Sequence, residues 1–275
     1  ALGTQGEGTF MPLQLYQVDA FTDNLFSGNP AAVVPLTAWL PDDVLCAIAA
    51  ENNLSETAFF IPAGDDEGAD FHLRWFTPTT EVALCGHATL ASAFVLFTAR
   101  GWTASTLRFS SASGLLFAER EDDGLITLDF PSRPGREMDV PEGLEASLGQ
   151  PVIGFQRAVM NMAVLEDEAA VRAVVPDLDY ISRLEGDGLI ITAAGDDGDC
   201  ASRYFAPNSG IDEDPVTGSA HCTIAPYWAH RLGKTVLDAR QVSKRGGVLR
   251  CALQDDRVRI TGASRLFMSG QLAII

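Results

Sequence analysis

The chain repeats part of its own sequence after an interval of 129 to 133 residues. Residues 74–78 read RWFTP and residues 203–207 read RYFAP, and the triplet GHA that begins at Gly86 is matched by GSA from Gly218. Three further matches keep the same order: residues 58–66 with 189–197, Gly101 with Gly233, and residues 113–116 with 246–249. Five matches in one order indicate two copies of a single folding unit.

Each copy has the same predicted order of elements. A short strand leads through an acidic turn to a second strand, which stops at a proline, and a glycine-rich turn then begins a helix. The first helix, residues 88–99, is apolar on nearly all sides, and the second, residues 219–232, carries some polar residues. A helix that is apolar all round is buried all round, and a sheet wrapped around it achieves that burial. We therefore predict an α/β fold of two pseudosymmetric domains, each a curled mixed sheet around a central helix.

The remaining elements and the domain boundary follow from local patterns. An amphipathic helix is predicted over residues 41–51, with Pro41 in its first turn and two acids beside it. The predicted strands are residues 58–61, 71–76, 107–110, 115–119 and 126–130 in the first copy and 189–192, 202–205, 241–243, 248–253 and 257–261 in the second.

The domain break falls in residues 131–143, which are rich in proline, glycine and charge. It predicts an N-terminal domain of residues 11–130 and a C-terminal domain of residues 131–263. A final strand, residues 266–275, is expected to return to the first domain, which then includes about residues 264–275. Residues 1–10 lack the basic and apolar regions of a signal peptide and are interpreted as a tag scar or a loose terminus.

The charge balance argues against two classes of partner. Nineteen Lys and Arg residues oppose 37 Asp and Glu residues, a formal net charge of −18. Such a surface repels phosphate backbones and anionic lipid head groups, so we expect neither nucleic-acid nor membrane binding. Five cysteines without a CxxC pair favour a reduced, cytoplasmic protein. The sequence contains no GxGxxG, Walker or GxSxG motif, which leaves nucleotide-binding and serine-hydrolase readings without support.

The repeat predicts that two helix N-termini face one cleft. The turns are Cys85-Gly86-His87 and Thr217-Gly218-Ser219. Each helix start carries about half a positive charge and several free N–H donors, so a pair of them suits a small anion such as a carboxylate. The alternative is that these glycines only permit tight turns.

Carboxylates near these turns are the candidate bases. Glu56 begins an apolar segment, and burial there raises the pKa of a carboxyl group toward values that suit a general base. A solvated glutamate is the alternative. Asp212, Glu213 and Asp214 directly precede the second turn, where they either stabilise the helix dipole or share a proton in the cleft.

Zinc binding is the least supported of the possible roles of the cysteines and histidines near the two turns. Cys85, His87, His221 and Cys222 have the residue types of a Cys2His2 set, but their spacing matches no zinc signature and two helix N-termini repel a cation. We therefore expect no bound metal.

Five strings of residues resemble a known family. They are VDAFTDNLFSGNPAAVV from Val18, AAENNLSETAFF from Ala49, LRWFTPTTEVALCGHATLA from Leu73, GIDEDPVTGSAHC from Gly210 and QVSKRGG from Gln241. Together they resemble the phenazine biosynthesis-like (PhzF-like) family, which has the diaminopimelate epimerase and proline racemase fold. The resemblance covers nearly the whole chain from Met11. It implies an active site between two domains, proton transfer on carbon without a cofactor, and a homodimer.

The resemblance also implies roles for individual residues. Glu56 matches the catalytic acid/base, and His87 and Asp214 match its partners. Positions that contact the substrate are matched by Ser55, Cys85, Gly86, Thr217, Gly218 and Ser219, and Asn29 in the GNP segment matches a position near the site. Racemases of this fold use two facing thiols. Cys85 matches the first, but the second turn offers none, which disfavours a two-thiol mechanism.

These observations predict a cytoplasmic isomerase that moves a proton between carbons of a small carboxylate, with Glu56 as the single base. Two alternatives remain open. The first is an epimerase that uses Cys85 with a non-thiol partner such as Asp214, and the second is a non-catalytic interaction module.

Overall fold

The computed structural model describes residues 12–64 and 68–273. The expected tag scar at residues 1–10 lies outside the described residues. The last residues of the matched segment 58–66 and of the predicted final strand, residues 266–275, also lie outside them. The strands are β1 Leu13–Ala20, β2 Asn29–Pro35, β3 Glu56–Pro62, β4 Phe71–Phe76, β5 Glu81–Val82, β6 Thr106–Ser111, β7 Gly114–Arg120, β8 Ile126–Pro131, β9 Arg136–Glu137, β10 Gly154–Arg157, β11 Asn161–Val164, β12 Leu189–Ala194, β13 Cys200–Ala206, β14 Ile211–Asp214, β15 Val236–Gln241, β16 Gly247–Gln254, β17 Arg257–Gly262 and β18 Ser264–Leu272. The helices are α1 Asp42–Asn52, α2 Gly86–Thr98, α3 Leu144–Leu148, α4 Glu168–Ala173, α5 Leu178–Ser182 and α6 Gly218–Leu232, with a 3-10 turn at Pro207–Ser209.

Two sets of eight strands have the same order and the same directions. One set runs β18-β1-β2-β3-β4-β6-β7-β8 and the other β9-β10-β11-β12-β13-β15-β16-β17. In each set the third and fourth strands are parallel, the fifth and sixth are parallel, and every other pair is antiparallel. The sets join where β8 pairs antiparallel with β17. This mixed α/β architecture agrees with the predicted fold class, and the last strand, β18, pairs with β1.

Helix α2 is enclosed by the first set of strands. All of its thirteen residues except Phe94 and Thr98 are buried. Its interior hydroxyls donate back along the helix, Thr89 to the Cys85 carbonyl at 2.5 Å and Ser92 to the Ala88 carbonyl at 2.7 Å, so burial leaves neither without a partner. Helix α6 is buried in the same way along most of its length and ends at Gly233, which is left-handed with φ 67°.

One strand prediction was misplaced. The predicted strand at residues 241–243 is β15, Val236–Gln241, in which buried and exposed residues alternate. The strand is hard to recognise in the sequence because Asp238 and Arg240, on its exposed face, interrupt the apolar residues. Among the described residues no helix is long and apolar enough to cross a membrane.

Candidate active site

The two central helices begin side by side. A Cβ atom built on Gly86, the first residue of α2, would lie 3.4 Å from the Cα atom of Gly218, the first residue of α6. Neither glycine has a left-handed backbone. Small residues at these two positions therefore allow the helix starts to approach closely, and they are not required for a turn with positive φ.

Both helix starts lack a side-chain cap. Cys85 and Thr217 precede the helices in extended conformation, and neither side chain caps the helix that follows. The hydroxyl of Thr217, a good cap elsewhere, donates instead to Asp214 Oδ2 at 2.5 Å. Since first-turn N–H groups need an acceptor, two uncapped starts in contact make a surface suited to an anion.

A cavity of about 230 Å³ opens at the two helix starts. Of the residues predicted from the sequence, it is lined by Glu56, Cys85, Gly86, His87, Asp214, Thr217, Gly218 and Ser219. Asn29 and Ser55 are not in the lining: Asn29 is fully buried behind it, and Ser55 is half-buried on the chain just before Glu56. The sequence did not single out the rest of the lining, which is Thr77, Val82, Leu84, Met160, Asp187, Tyr204, Ala206, Ser209 and Ile211.

Glu56 and His87 meet in this cavity. Glu56 is the first residue of β3 and is 9% exposed, and His87, in the first turn of α2, is 3% exposed. Glu56 Oε2 lies 3.3 Å from His87 Nε2. The pair does not meet the angular requirements of a hydrogen bond, and both atoms are buried without a hydrogen-bond partner. Two such buried atoms at one point leave capacity for a bound molecule.

Asp214 is held from several sides. Asn29 Nδ2 donates to its Oδ1 at 2.8 Å, and Thr217 occupies Oδ2. Gln241 supports this arrangement, because it accepts from the Thr217 N–H at 2.7 Å and donates to the Asp214 carbonyl at 2.7 Å. Gln241 stands in the QVSKRGG segment, but no sequence signal pointed to this role.

The three acids before α6 do not act together. Glu213 forms an ion pair with Arg203 at 2.7 Å, and Asp212 is exposed. Only Asp214 of the three lines the cavity, and Glu213, its neighbour in the extended segment β14, points to the opposite side.

Burial sets the protonation of these groups. It raises the pKa of Glu56 to about 8, and the nearby charge of Asp214 adds to this shift. It raises the pKa of Asp214 to about 6, against the hydrogen bonds from Thr217 and Asn29 that lower it. Burial lowers the pKa of His87 to about 3, so its ring is neutral. Burial and the charge of Glu56 raise the pKa of the Cys85 thiol well above its ordinary value.

These donors do not suit a metal ion. Ligand atoms of Glu56, Cys85 and His87 lie within 4.8 Å of one another, and this is the one such group found in the described chain. His221 and Cys222 do not belong to it, so the structure does not assemble the Cys2His2 set. Glu56 and Cys85 are protonated at neutral pH because of their raised pKa values, and the two helix N-termini repel a cation.

A larger groove of about 560 Å³ lies elsewhere, between β10 and the end of α6. Its ionisable groups, Glu137, His230 and Arg231, are exposed. It contains none of the predicted site residues, and its exposed groups lack the desolvation that distinguishes the smaller cavity.

Comparison with known proteins identifies the family to which the chain belongs. The model of the family described as phenazine biosynthesis-like protein matches residues 18–270. The chain belongs to the phenazine biosynthesis-like family. A relative from Pseudomonas aeruginosa described as an uncharacterized isomerase is 49% identical over 265 residues, covering 96% of this chain and 100% of the relative. Further relatives from Pseudomonas aeruginosa and Halalkalibacterium halodurans are also described as uncharacterized isomerases. This phenazine biosynthesis-like protein is an isomerase.

Solved structures agree on the fold. A crystal structure of a PhzF-family phenazine biosynthesis protein from Enterococcus faecalis superposes with a TM-score of 0.91 at 44% identity, covering 96% of this chain and 100% of that one. A probable proline racemase from Agrobacterium radiobacter superposes with a TM-score of 0.64 at 14% identity, covering 96% of this chain and 93% of that one. At that identity the second likeness shows only that this phenazine biosynthesis-like protein has the fold of the racemases.

Proposed function

We propose that this isomerase moves a proton between two carbons of a small carboxylate, without a cofactor, and that Glu56 is its single acid/base. One observation carries the proposal. Glu56 Oε2 and His87 Nε2 are buried without hydrogen-bond partners, 3.3 Å apart, in a cavity formed at two uncapped helix starts. A base, a polar partner and an anion-binding surface therefore converge on one small space.

The charges of the lining support a substrate with a single carboxylate. The described lining contains Glu56, Asp187 and Asp214 and no lysine or arginine. No cationic side chain of the described lining is then available to hold an anion, so the helix N–H groups and neutral donors must do so, which suits one carboxylate better than a more highly charged phosphate or diacid. The volume of about 230 Å³ is below the usual range of about 300–1,000 Å³ for ligand pockets, which favours a small acid.

The raised pKa of Glu56 suits both halves of the reaction. A carboxyl group with a pKa of about 8 is a stronger base than an ordinary glutamate once ionised, and it also holds the proton long enough to return it. In the proposed sequence Glu56 as carboxylate removes a proton from one carbon. The charge that develops is stabilised by the helix N–H groups and by neutral His87. Protonated Glu56 then delivers a proton to another carbon, and deuterium enters there whenever the carboxyl proton has first exchanged with the solvent.

Asp214 acts in this scheme through its charge. Both of its carboxylate oxygens accept hydrogen bonds from within the protein, so it is poorly placed to exchange a proton with a substrate. Its negative charge raises the pKa of Glu56.

A screen in heavy water tests the proposal. Small monocarboxylates with an acidic C–H bond are incubated with the protein in D₂O and examined by NMR for deuterium on carbon. We expect deuterium to enter one or more acids at positions related by a proton shift, without inversion at a stereocentre. Inversion at a stereocentre with wash-in of deuterium would instead establish the epimerase. If no acid exchanged while the protein still bound a partner protein, an interaction module would be favoured.

A further inference from the structure

One buried amide connects the two halves of the site. Asn29, the first residue of β2, is fully buried, and its Nδ2 atom lies 2.8 Å from Asp214 Oδ1, 2.9 Å from the Val216 carbonyl and 3.1 Å from His87 Nδ1. Asp214 and Val216 precede α6, whereas His87 lies on α2. A single side chain therefore contacts both helix starts.

The orientation of this amide is fixed by its neighbours. With Nδ2 facing them, Asn29 Oδ1 is left without a partner, which is unfavourable for a buried polar atom. The flipped amide would set that oxygen against two acceptors, Asp214 Oδ1 and the Val216 carbonyl. The nitrogen must therefore face this group, and an amide nitrogen can only donate.

We propose that Asn29 is a positioning residue that holds neutral His87 in the tautomer with its proton on Nε2. Asn29 Nδ2 cannot accept a hydrogen bond, so a proton on His87 Nδ1 would face it without an acceptor, and the ring proton belongs on the other nitrogen. Cys85 Sγ lies 3.5 Å from the same Nδ1 atom, and its protonated thiol is also a donor. Sulfur is only a weak acceptor, so Cys85 holds a proton on Nδ1 less well than it supplies one.

The position of this proton determines where His87 can donate a hydrogen bond. The Nε2 atom lies 3.3 Å from Glu56 Oε2 without a hydrogen bond between them, so its proton is a free donor in the cavity, available to negative charge on a substrate. The same Asn29 amide holds Asp214, whose charge acts on Glu56, so one side chain positions both partners of the base. This role in the reaction rests on the proposed function, whereas the tautomer itself does not.

Nitrogen NMR of the wild-type protein labelled with ¹⁵N-histidine tests the tautomer without any substrate. The His87 signals are identified by their loss in a His87→Gln variant. We expect a pyridine-like Nδ1 and a pyrrole-like Nε2 throughout the neutral pH range. A protonated Nδ1, or averaged signals of two exchanging tautomers, would overturn the proposal whether or not Asn29 variants fold.

Asn29→Leu supplies the second measurement, because it removes the donor nitrogen and keeps the size of the side chain. We expect His87 to lose its fixed tautomer, with averaged Nδ1 and Nε2 signals, and deuterium exchange into the substrate to fall by about 10²-fold or more. The matched control is Asn161→Leu, at the first residue of β11, where the asparagine is equally buried but donates to the Glu185 carbonyl at 2.7 Å. The control should leave the His87 signals unchanged, and loss of exchange in Asn29→Leu with an unchanged tautomer would contradict the proposal.

Discussion

Gly86 and Gly218 lie in contact although 132 residues separate them, and a Cβ atom on Gly218 would be 3.6 Å from the Cα atom of Gly86. They are the first residues of α2 and α6. The matching glycines of the sequence repeat are thus the point where the two halves of the chain touch. This contact brings two sets of uncapped N–H groups to one cavity.

Substitution of Gly218 tests the role of this contact. The distances around a Cβ atom there, 3.6 Å to Gly86 and 3.6 Å to Phe21, are ordinary, so Gly218→Ala should fold and keep most anion binding. Gly218→Val adds two methyl groups, which should separate the helix starts and weaken binding of a small carboxylate about tenfold or more, as one lost charge-assisted hydrogen bond would. Titration calorimetry with an acid from the exchange screen measures both. Equal affinity in the valine variant would contradict an anion site between the helices.

Removal of the proposed base should abolish exchange. Glu56→Gln keeps the size of the side chain but cannot accept the proton, so deuterium incorporation should fall by about 10²–10⁴-fold. Glu51→Gln, at an exposed position of α1, is the matched control and should exchange at the wild-type rate. Exchange close to the wild-type rate in Glu56→Gln would rule out a single-base mechanism.

The rate of exchange should follow the ionisation of Glu56. Because only the carboxylate removes a proton, exchange should rise with pH, with its inflection near pH 8, and level off above that. Asp214→Asn removes the charge that raises the pKa of Glu56, so the inflection should move to lower pH. The other ionisable groups facing Glu56, His87 and Cys85, do not titrate in this range, since burial keeps the first neutral and the second protonated. An inflection that stays in place in Asp214→Asn would show that the charge of Asp214 does not contribute to the pKa of Glu56.

The same pKa predicts a stability effect. The folded-state pKa of Glu56 is raised from 4.5 to about 8, so its contribution to stability is fully present below pH 4.5 and is lost as the pH rises through 8. Glu56→Gln does not ionise and should gain stability relative to the wild type between pH 5 and pH 9, on the order of a few kcal/mol. Urea denaturation at the two pH values measures the difference. If Glu56→Gln and the wild type differ in free energy of unfolding by the same amount at pH 5 and at pH 9, Glu56 is not desolvated in the folded protein.

The thiol in the cavity should be dispensable. Cys85 is buried beside Glu56, and its raised pKa keeps it protonated at neutral pH, so it is a poor base. Cys85→Ser should therefore retain at least about a tenth of the exchange rate, in contrast to the loss of about 10²-fold or more expected when an acid/base is removed. If Cys85→Ser and alkylation of Cys85 both stop exchange in folded protein, the thiol is a base and the epimerase alternative is favoured.

Much of the fold was predictable because burial leaves a local pattern. The apolar run of α2 indicated a helix enclosed by a sheet, and the structure buries all but two of its residues. Strand β4 was predicted with the bounds it has, Phe71–Phe76, since it is flanked by turn residues and stops at a proline. The prediction missed the strands β1, β2, β5, β9, β10, β11 and β14 and the short helices α3 to α5. Most of these elements are brief or lack a distinct period, and the strands depend on pairing with distant segments.

Sequence patterns alone indicated that the chain is a duplicated unit, that two glycine turns begin equivalent buried helices, and that Glu56 begins an apolar strand. The surroundings of these residues depend on tertiary packing. Glu56 and Asp214 are 158 positions apart, and the charge of one reaches the other only because β3 and the segment before α6 meet at the same cavity. The Asn29 amide, the Gln241 side chain and the apolar lining from Met160 and Ile211 likewise acquire their roles through packing. A pKa and a hydrogen-bond network depend on desolvation and on distances of a few ångströms, and spacing along the chain specifies neither.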